Sequence, residues 1–133
     1  MRLLIDTNIF LELILEQERS IEARNLLGKT EDHDFFLTDY SLHSIGLLLF
    51  RLGRHHFFQD FLDDMLIRAG TGLISLTVED MASVIQAARQ YNLDFDDAYQ
   101  YAAAAKNNLT LVSFDSDFDR TKHGRKTPSE ING

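Results

Sequence analysis

The sequence predicts an α/β fold in which a mostly parallel sheet lies between helices. Short apolar runs of strand length alternate along the chain with longer segments of helical periodicity. Strands joined through helices pair in parallel, and a sheet of this kind is covered on both faces. The chain has 133 residues, the length of one compact domain. We therefore expect a single domain over residues 1–133, with a sheet of about four or five strands.

The first half of the chain contains two of the predicted strands. One apolar strand, Leu3 to Ile5, ends at Asp6, and the next covers Phe35 to Leu37. Periodic apolar positions predict helices over about Asn8–Glu16, Ser20–Leu27, Leu42–Leu52 and His56–Arg68. The second and third of these helices are followed by glycine, the residue type that most often terminates a helix.

The second half repeats the alternation. The third and fourth strands are predicted over Leu73–Leu76 and Leu109–Phe114. Thr77 and Asp80 have the spacing of a capping box at the start of a helix that reaches about Tyr91. An alanine-rich helix opens at residues 94–97 and runs through residue 105. From Asp115 on the chain is polar, and we expect a loop.

The composition restricts the class of site and partner. Without cysteine the chain has no disulfide, thiolate ligand or cysteine nucleophile, which fits a reducing compartment. The net charge of -8 argues against a broad basic face for nucleic acid, whereas acidic clusters suit hard cations. No apolar run has the length of a membrane span, and the apolar start is too short for a signal peptide. We expect a cytoplasmic protein without membrane contact.

Two of the predicted strands end near carboxylates, Asp6 after the first and Asp115 after the fourth. In open parallel sheets the functional site lies outside the carboxyl ends of the strands. Asp97, in the opening turn of its helix, and Asp117 can converge on the same place. Carboxylates this close repel one another unless a cation such as Mg²⁺ or Mn²⁺ lies between them. A water on that cation becomes acidic enough to attack phosphorus. Each aspartate taken singly also fits a cap.

Three segments that contain these residues resemble motifs of the PIN-domain family. Leu3–Leu11 is similar to the opening motif, an apolar strand followed by Asp-Thr-Asn. Asp96–Ala104 resembles the third motif, an aspartate that opens an alanine-rich helix. Leu111–Phe118 resembles the fourth, a strand that runs into acidic residues before phenylalanine. The order and spacing of the three motifs agree over nearly the whole chain.

The resemblance implies a three-layer α/β/α fold and Mg²⁺- or Mn²⁺-dependent endonucleolytic cleavage of RNA. It implies a metal site formed by Asp6, Asp97 and Asp115, with Asp117 as a supporting or substitute ligand. Thr7 and Asn8 would support the first aspartate through hydrogen bonds. Many short bacterial members are VapC-type toxins held inactive by a small antitoxin. The resemblance therefore also implies an antitoxin partner and a homodimer.

The second motif departs from the family pattern. PIN domains usually carry a glutamate on the helix after the second strand, and here Gly46 falls about where that glutamate belongs. His43, one turn earlier, is a further candidate catalytic residue. A neutral imidazole facing the cleft could bind a water or a phosphate and accept a proton near neutral pH. His43 also fits a role in capping or packing its helix.

A basic segment follows the acidic motif. It contains Arg120, Lys122, Arg125 and Lys126. We predict that these four residues attract RNA phosphates and so help offset the acidic remainder of the chain. A solvated tail is the other interpretation of such a segment.

Three hypotheses describe the function. The first is a PIN-type ribonuclease acting as a toxin. The second is a degenerate PIN domain that binds RNA or a protein partner without cleaving, because Gly46 replaces the acid. The third is a phosphotransfer enzyme or receiver domain with an aspartate nucleophile. That class needs a second acid beside the first and a lysine after a later strand, but Asp6-Thr7-Asn8 lacks the acid and Lys106 lies in a predicted helix.

Overall fold

The structure, a computed structural model, describes residues 1–132 and contains a parallel sheet of four strands. The strands are β1 (Arg2–Ile5), β2 (Asp34–Thr38), β3 (Gly72–Ile74) and β4 (Thr110–Val112), in the spatial order β3-β2-β1-β4. The α-helices are α1 (Thr7–Ile14), α2 (Ser20–Leu27), α3 (Asp39–Arg51), α4 (His55–Phe61), α5 (Met81–Tyr91), α6 (Phe95–Asn107) and α7 (Pro128–Asn132). A π-helical segment, Leu62–Arg68, continues α4, and a 3₁₀ turn covers Ser116–Arg120.

The strand side chains alternate between two hydrophobic cores, one on each face of the sheet. Leu3 and Ile5 pack with residues of α1 to α4, whereas Leu4 packs with residues of α5 and α6. All three are fully buried, which explains why β1 is a continuous apolar run. The predicted three-layer α/β/α fold with a parallel sheet is therefore confirmed. Within residues 1–132, every helix is too short or too polar to cross a membrane.

β1 lies between β2 and β4, so segments that are distant in sequence become neighbours. Leu4 is aligned with Leu111 and Ile5 with Val112. The backbone N–H of Asp6 continues this pairing, donating to the carbonyl of Val112 at 2.9 Å. The chain after β1 and the chain after β4 thus leave the same edge side by side, as the sequence predicts.

The segment after Asp115 differs from the predicted loop, because it contains the 3₁₀ turn and α7. Phe118 is fully buried and anchors the turn. The backbone of Lys126 pairs with the edge of β4: its N–H donates to Leu111 at 2.8 Å and its carbonyl accepts from Ser113 at 3.0 Å. One buried ring and two backbone hydrogen bonds therefore hold a stretch whose composition is polar.

Other elements also differ in extent from the sequence prediction: α3 begins at Asp39 rather than Leu42, and β3 covers Gly72–Ile74 rather than Leu73–Leu76. The single helix expected over His56–Arg68 is divided into α4 and the π-helical segment. The fourth strand is shorter than Leu109–Phe114, because the chain leaves the sheet after Val112 to form the turn that contains Asp115.

Candidate metal centre

Asp6 lies immediately after β1, the strand between β2 and β4, and is 5% exposed. Ser113 Oγ donates to its Oδ2 and Gln100 Nε2 to its Oδ1, both at 2.6 Å. Burial raises the pKa of Asp6, and the two hydrogen bonds act in the opposite direction. The carboxylate is therefore held in one orientation by donors from α6 and from the end of β4.

Asp97, Asp115 and Asp117 meet beside Asp6. Each offers a carboxylate oxygen, and these oxygens lie within 4.8 Å of one another. Asp97 lies in the first turn of α6. The N-cap of this helix is Asp94, whose side chain accepts a hydrogen bond from the N–H of Asp97 at 2.9 Å. Asp115 caps the 3₁₀ turn by accepting from the N–H of Asp117 at 2.8 Å. The two helix starts thus bring three carboxylates together.

Burial raises the pKa of Asp97 to about 7, and repulsion from Asp94, Asp115, Asp6 and Asp117 acts in the same direction. At neutral pH about half of such carboxyl groups keep their proton unless a cation compensates the surrounding negative charge. The cluster offers only oxygen ligands, which Mg²⁺ and Mn²⁺ prefer. The residues therefore fit a divalent hard cation.

Thr7 and Asn8 connect the cluster to its supports. Thr7 Oγ1 donates to Ser41 Oγ at 2.9 Å, which ties the residue after Asp6 to the start of α3. Asn8 Nδ2 donates to Ser113 Oγ at 3.3 Å, and Asn8 Oδ1 accepts from the N–H of Phe114 at 3.3 Å. Asn8 reaches Asp6 through Ser113, whereas Thr7 fixes the neighbouring backbone.

Sequence reasoning missed two residues of the site, Gln100 and Ser113. Both are buried and both donate to Asp6. Gln100 Oε1 is also buried, and within residues 1–132 it has no hydrogen-bond donor. A glutamine three positions after Asp97, on the same face of an alanine-rich helix, could have been found from its spacing. The orientation of Ser113 depends on the bend after β4, which the sequence does not reveal.

Gly46 and His43 lie on a different side of α3 from the cluster. Together with Asp39, Leu47 and Phe58, they line a shallow groove of 460 Å³. A Cβ added at Gly46 would lie 3.1 Å from Cζ of Phe58. His43 is exposed, and the carboxylate cluster found within residues 1–132 does not include it. A catalytic role of His43 stays a prediction.

Ser44, rather than Gly46, is the α3 residue that lies on the side of the first aspartate. That side is marked by Ser41, whose hydroxyl accepts the hydrogen bond from Thr7. Ser44 follows Ser41 by one turn, so the two share a face. Gly46 is rotated from Ser41 by about 140° around the helix. Of positions 44 and 46, position 44 would therefore place a carboxylate on α3 nearer to Asp6.

The four residues of the basic segment have different surroundings. Arg120 donates to the carbonyls of Tyr91 and Asn92 and pairs with Asp117 at 3.3 Å. Arg125 donates to the carbonyl of Ser113 and pairs with Asp119 at 3.1 Å. Lys122 and Lys126 are exposed. The two arginines thus have structural contacts, whereas no hydrogen bond or ion pair is found for the side chains of the two lysines within residues 1–132.

The fold and the carboxylate cluster define an α/β domain with an acidic cluster at the carboxyl edge of its sheet. The sequence model of the PIN domain family matches residues 3–124. The chain belongs to this family. Among curated protein sequences there is no significant match.

Solved structures, among them a toxin and a toxin–antitoxin complex, share the fold at low sequence identity. VapC20 of Mycobacterium tuberculosis, a sarcin-ricin loop cleaving toxin, has a TM-score of 0.76 at 17% identity, over 91% of this chain and 95% of that one. FitAcB of Neisseria gonorrhoeae has a TM-score of 0.73 at 20% identity, over 96% of this chain and 98% of that one. A toxin–antitoxin complex of Klebsiella pneumoniae has a TM-score of 0.70 at 22% identity, over 96% of this chain and 98% of that one.

Proposed function

We propose that this chain is a divalent-metal-dependent endoribonuclease. The observation that carries the proposal is the convergence of Asp97, Asp115 and Asp117 beside the buried Asp6. Membership of the PIN domain family supports it. So does the likeness in fold to VapC20, a toxin that cleaves the sarcin-ricin loop, which is RNA.

Asp97, Asp115 and Asp117 would hold Mg²⁺ or Mn²⁺, with Asp6 beside them. A bound cation would neutralise charge on the phosphoryl oxygens and lower the pKa of a coordinated water. Ser113 and Gln100 keep Asp6 oriented toward the cluster through their two hydrogen bonds. The side chains of the site thus supply negative charge at a fixed place for the cation.

The biological role that we propose is the toxin of a toxin–antitoxin pair. The toxin–antitoxin complex from Klebsiella pneumoniae, which shares the fold, supports an antitoxin as a protein partner. We further propose that the chain forms a homodimer and acts on RNA in the cytoplasm.

Cleavage of RNA by the purified protein tests the proposal. We expect cleavage with Mn²⁺ or Mg²⁺ and none with a chelator. Asp6→Asn and Asp97→Asn should weaken Mn²⁺ binding and abolish cleavage. Asp96→Asn is the matched control, because Asp96 is an exposed neighbour of Asp97 outside the cluster. If Asp6→Asn cleaves as well as the parent protein, the assignment is wrong.

A second candidate function is RNA or protein binding without cleavage. It is favoured by the composition of α3, which after Asp39 carries no acidic residue that could complete the cluster. A protein that binds RNA and Mn²⁺ but leaves RNA intact under all metal conditions would support this function over the first.

A further inference from the structure

Arg19 packs on the ring of Phe114, the residue next to Asp115 of the carboxylate cluster. The residue lies between α1 and α2, and its guanidinium carbon is 4.8 Å from the centre of the Phe114 ring. Phe114 immediately precedes Asp115 and follows Ser113, which holds Asp6. The guanidinium therefore packs on the residue that separates Ser113 from Asp115, although nothing in the order of the sequence connects it with the acidic motifs.

Both partners of this contact are held by backbone hydrogen bonds. The N–H of Phe114 donates to Asn8 Oδ1 at 3.3 Å, and the N–H of Arg19 donates to Glu12 Oε2 at 2.9 Å. Stacking on a ring occupies the flat face of a guanidinium and leaves the N–H donors at its edge available. Arg19 is exposed, and within residues 1–132 its guanidinium has no ion pair.

The two arginines of the basic segment differ in this respect. Arg120 and Arg125 donate to backbone carbonyls and to aspartates, so their guanidinium groups already have partners. A substrate with phosphate groups must approach an acidic chain at a place where positive charge is available. Arg19, held against the ring of Phe114 next to Asp115, offers that charge.

We infer that Arg19 binds a backbone phosphate of a single-stranded RNA whose neighbouring phosphodiester lies at the carboxylate cluster. The planar fork of a guanidinium matches two phosphate oxygens and binds them with charge-assisted hydrogen bonds. This inference rests on the proposed function, because it places the RNA at the cluster. It assigns the electrostatic contact to the α1–α2 connection, outside the basic segment at the end of the chain.

The test compares Arg19→Gln with Arg54→Gln. Arg54 is also exposed and stacks on a phenylalanine, with its guanidinium 5.3 Å from the ring of Phe57. It follows α3, which begins at the carboxyl edge and is about 20 Å long, so the control makes the same charge change beyond the opposite end of that helix. The probe is fluorescein-labelled single-stranded RNA of mixed sequence, followed by anisotropy in a chelator, where no cleavage is expected, over a range of KCl concentrations. Gel electrophoresis verifies that the RNA stays intact.

We expect Arg19→Gln to weaken RNA binding about tenfold, as for loss of one charge-assisted contact. The slope of log affinity against log salt should become shallower by about 0.7, the value for one phosphate contact on a single strand. Arg54→Gln should bind RNA nearly as the parent protein does, and Arg19→Lys, which keeps the charge, should retain the parent slope. Mn²⁺ affinity and the unfolding temperature of Arg19→Gln should equal those of the parent.

Unchanged RNA affinity and slope in Arg19→Gln would show that the guanidinium only covers Phe114. Loss of Mn²⁺ affinity or of folding in that variant would also overturn the inference, in favour of a structural role. If the parent protein binds Mn²⁺ but no RNA, the proposed function itself fails, and the inference fails with it.

Discussion

Gln100 and Asp6, which are 94 positions apart in the chain, are joined by a hydrogen bond of 2.6 Å from Nε2 to Oδ1. The bond links the centre of α6 to the end of β1. The other carboxylate oxygen of Asp6, Oδ2, accepts a hydrogen bond from the hydroxyl of Ser113. The cluster therefore has a support that is independent of any cation.

Replacement of Gln100 by leucine should weaken both folding and metal binding. The variant keeps much of the buried volume but removes one of the two side-chain donors to a buried carboxylate. We expect the free energy of unfolding to fall by about 1.5–3 kcal/mol, the range for a hydrogen bond to a charged group. Loss of this donor raises the pKa of Asp6 further, so protons compete more strongly with Mn²⁺.

Urea unfolding and calorimetric Mn²⁺ titration measure these two effects. Gln59→Leu is the control, because Gln59 donates to Asp63 at an exposed position and its loss should cost less than about 0.5 kcal/mol. Equal stability of the Gln100 and Gln59 variants would contradict the proposed support of Asp6.

Asp97 should make the metal-free protein less stable as the pH rises. Its pKa is about 7 in the folded chain against the ordinary value of 3.8, so the folded state binds this proton more tightly than the unfolded state. The stability linked to this proton is fully present below about pH 4 and is lost as the pH rises to about 7. Asp97→Asn removes this dependence, because an amide does not titrate in this range.

We therefore expect Asp97→Asn in chelator to be more stable than the parent protein at pH 8, by about 1–2 kcal/mol after allowance for solvent screening. Near pH 4 the two proteins should be nearly equal in stability. Thermal unfolding at several pH values checks this difference, with Asp96→Asn as the variant that keeps the parent profile. A constant difference across the pH range would show that Asp97 is not the titrating group.

An added carboxylate on α3 should act differently at two positions. Ser44→Glu places the new group on the face of Ser41, near Thr7 and Asp6, and should tighten Mn²⁺ binding by about tenfold through the extra negative ligand. Gly46→Glu meets the ring of Phe58, so it should leave Mn²⁺ affinity near the parent value and cost about 1–3 kcal/mol of stability. Titration with Mn²⁺ and thermal unfolding of both variants distinguish the two positions. Tighter binding in Gly46→Glu alone would restore the sequence-based assignment of the missing glutamate to that position.

Substitutions of the lysines and of the arginines of the basic segment should have different effects, the first on RNA binding and the second on stability. Replacing Lys122 and Lys126 together by glutamine should make the log–log salt dependence of RNA binding shallower, by up to about 0.7 per lost contact. Arg125→Gln should instead lower stability by about 1–3 kcal/mol, because its guanidinium bonds the carbonyl of Ser113 and pairs with Asp119. Anisotropy with labelled RNA and urea unfolding measure the two effects. An unchanged slope in the lysine double variant would show that both side chains are only solvated.

The chain sequence by itself determined the fold class and the acidic residues of the site. Apolar runs of strand length, separated by helical periodicity, are sufficient to predict a parallel sheet, because local propensity and burial on both faces act together in β1 and β4. The positions of Asp6 and Asp97 also follow from local sequence, since one comes directly after an apolar strand and the other opens a helix.

Only the tertiary structure decided how side chains from separate elements meet. The strand order places β4 beside β1, and this neighbourhood brings Ser113 and Gln100 to Asp6. The rotation of α3 directs Gly46 to Phe58 and leaves Ser44 on the side of Thr7, a difference of two residues that sequence spacing does not resolve. Arg19 likewise contacts Phe114, although the two residues are far apart in the sequence. Such contacts depend on the packing of helices against the sheet, and local sequence does not encode their geometry.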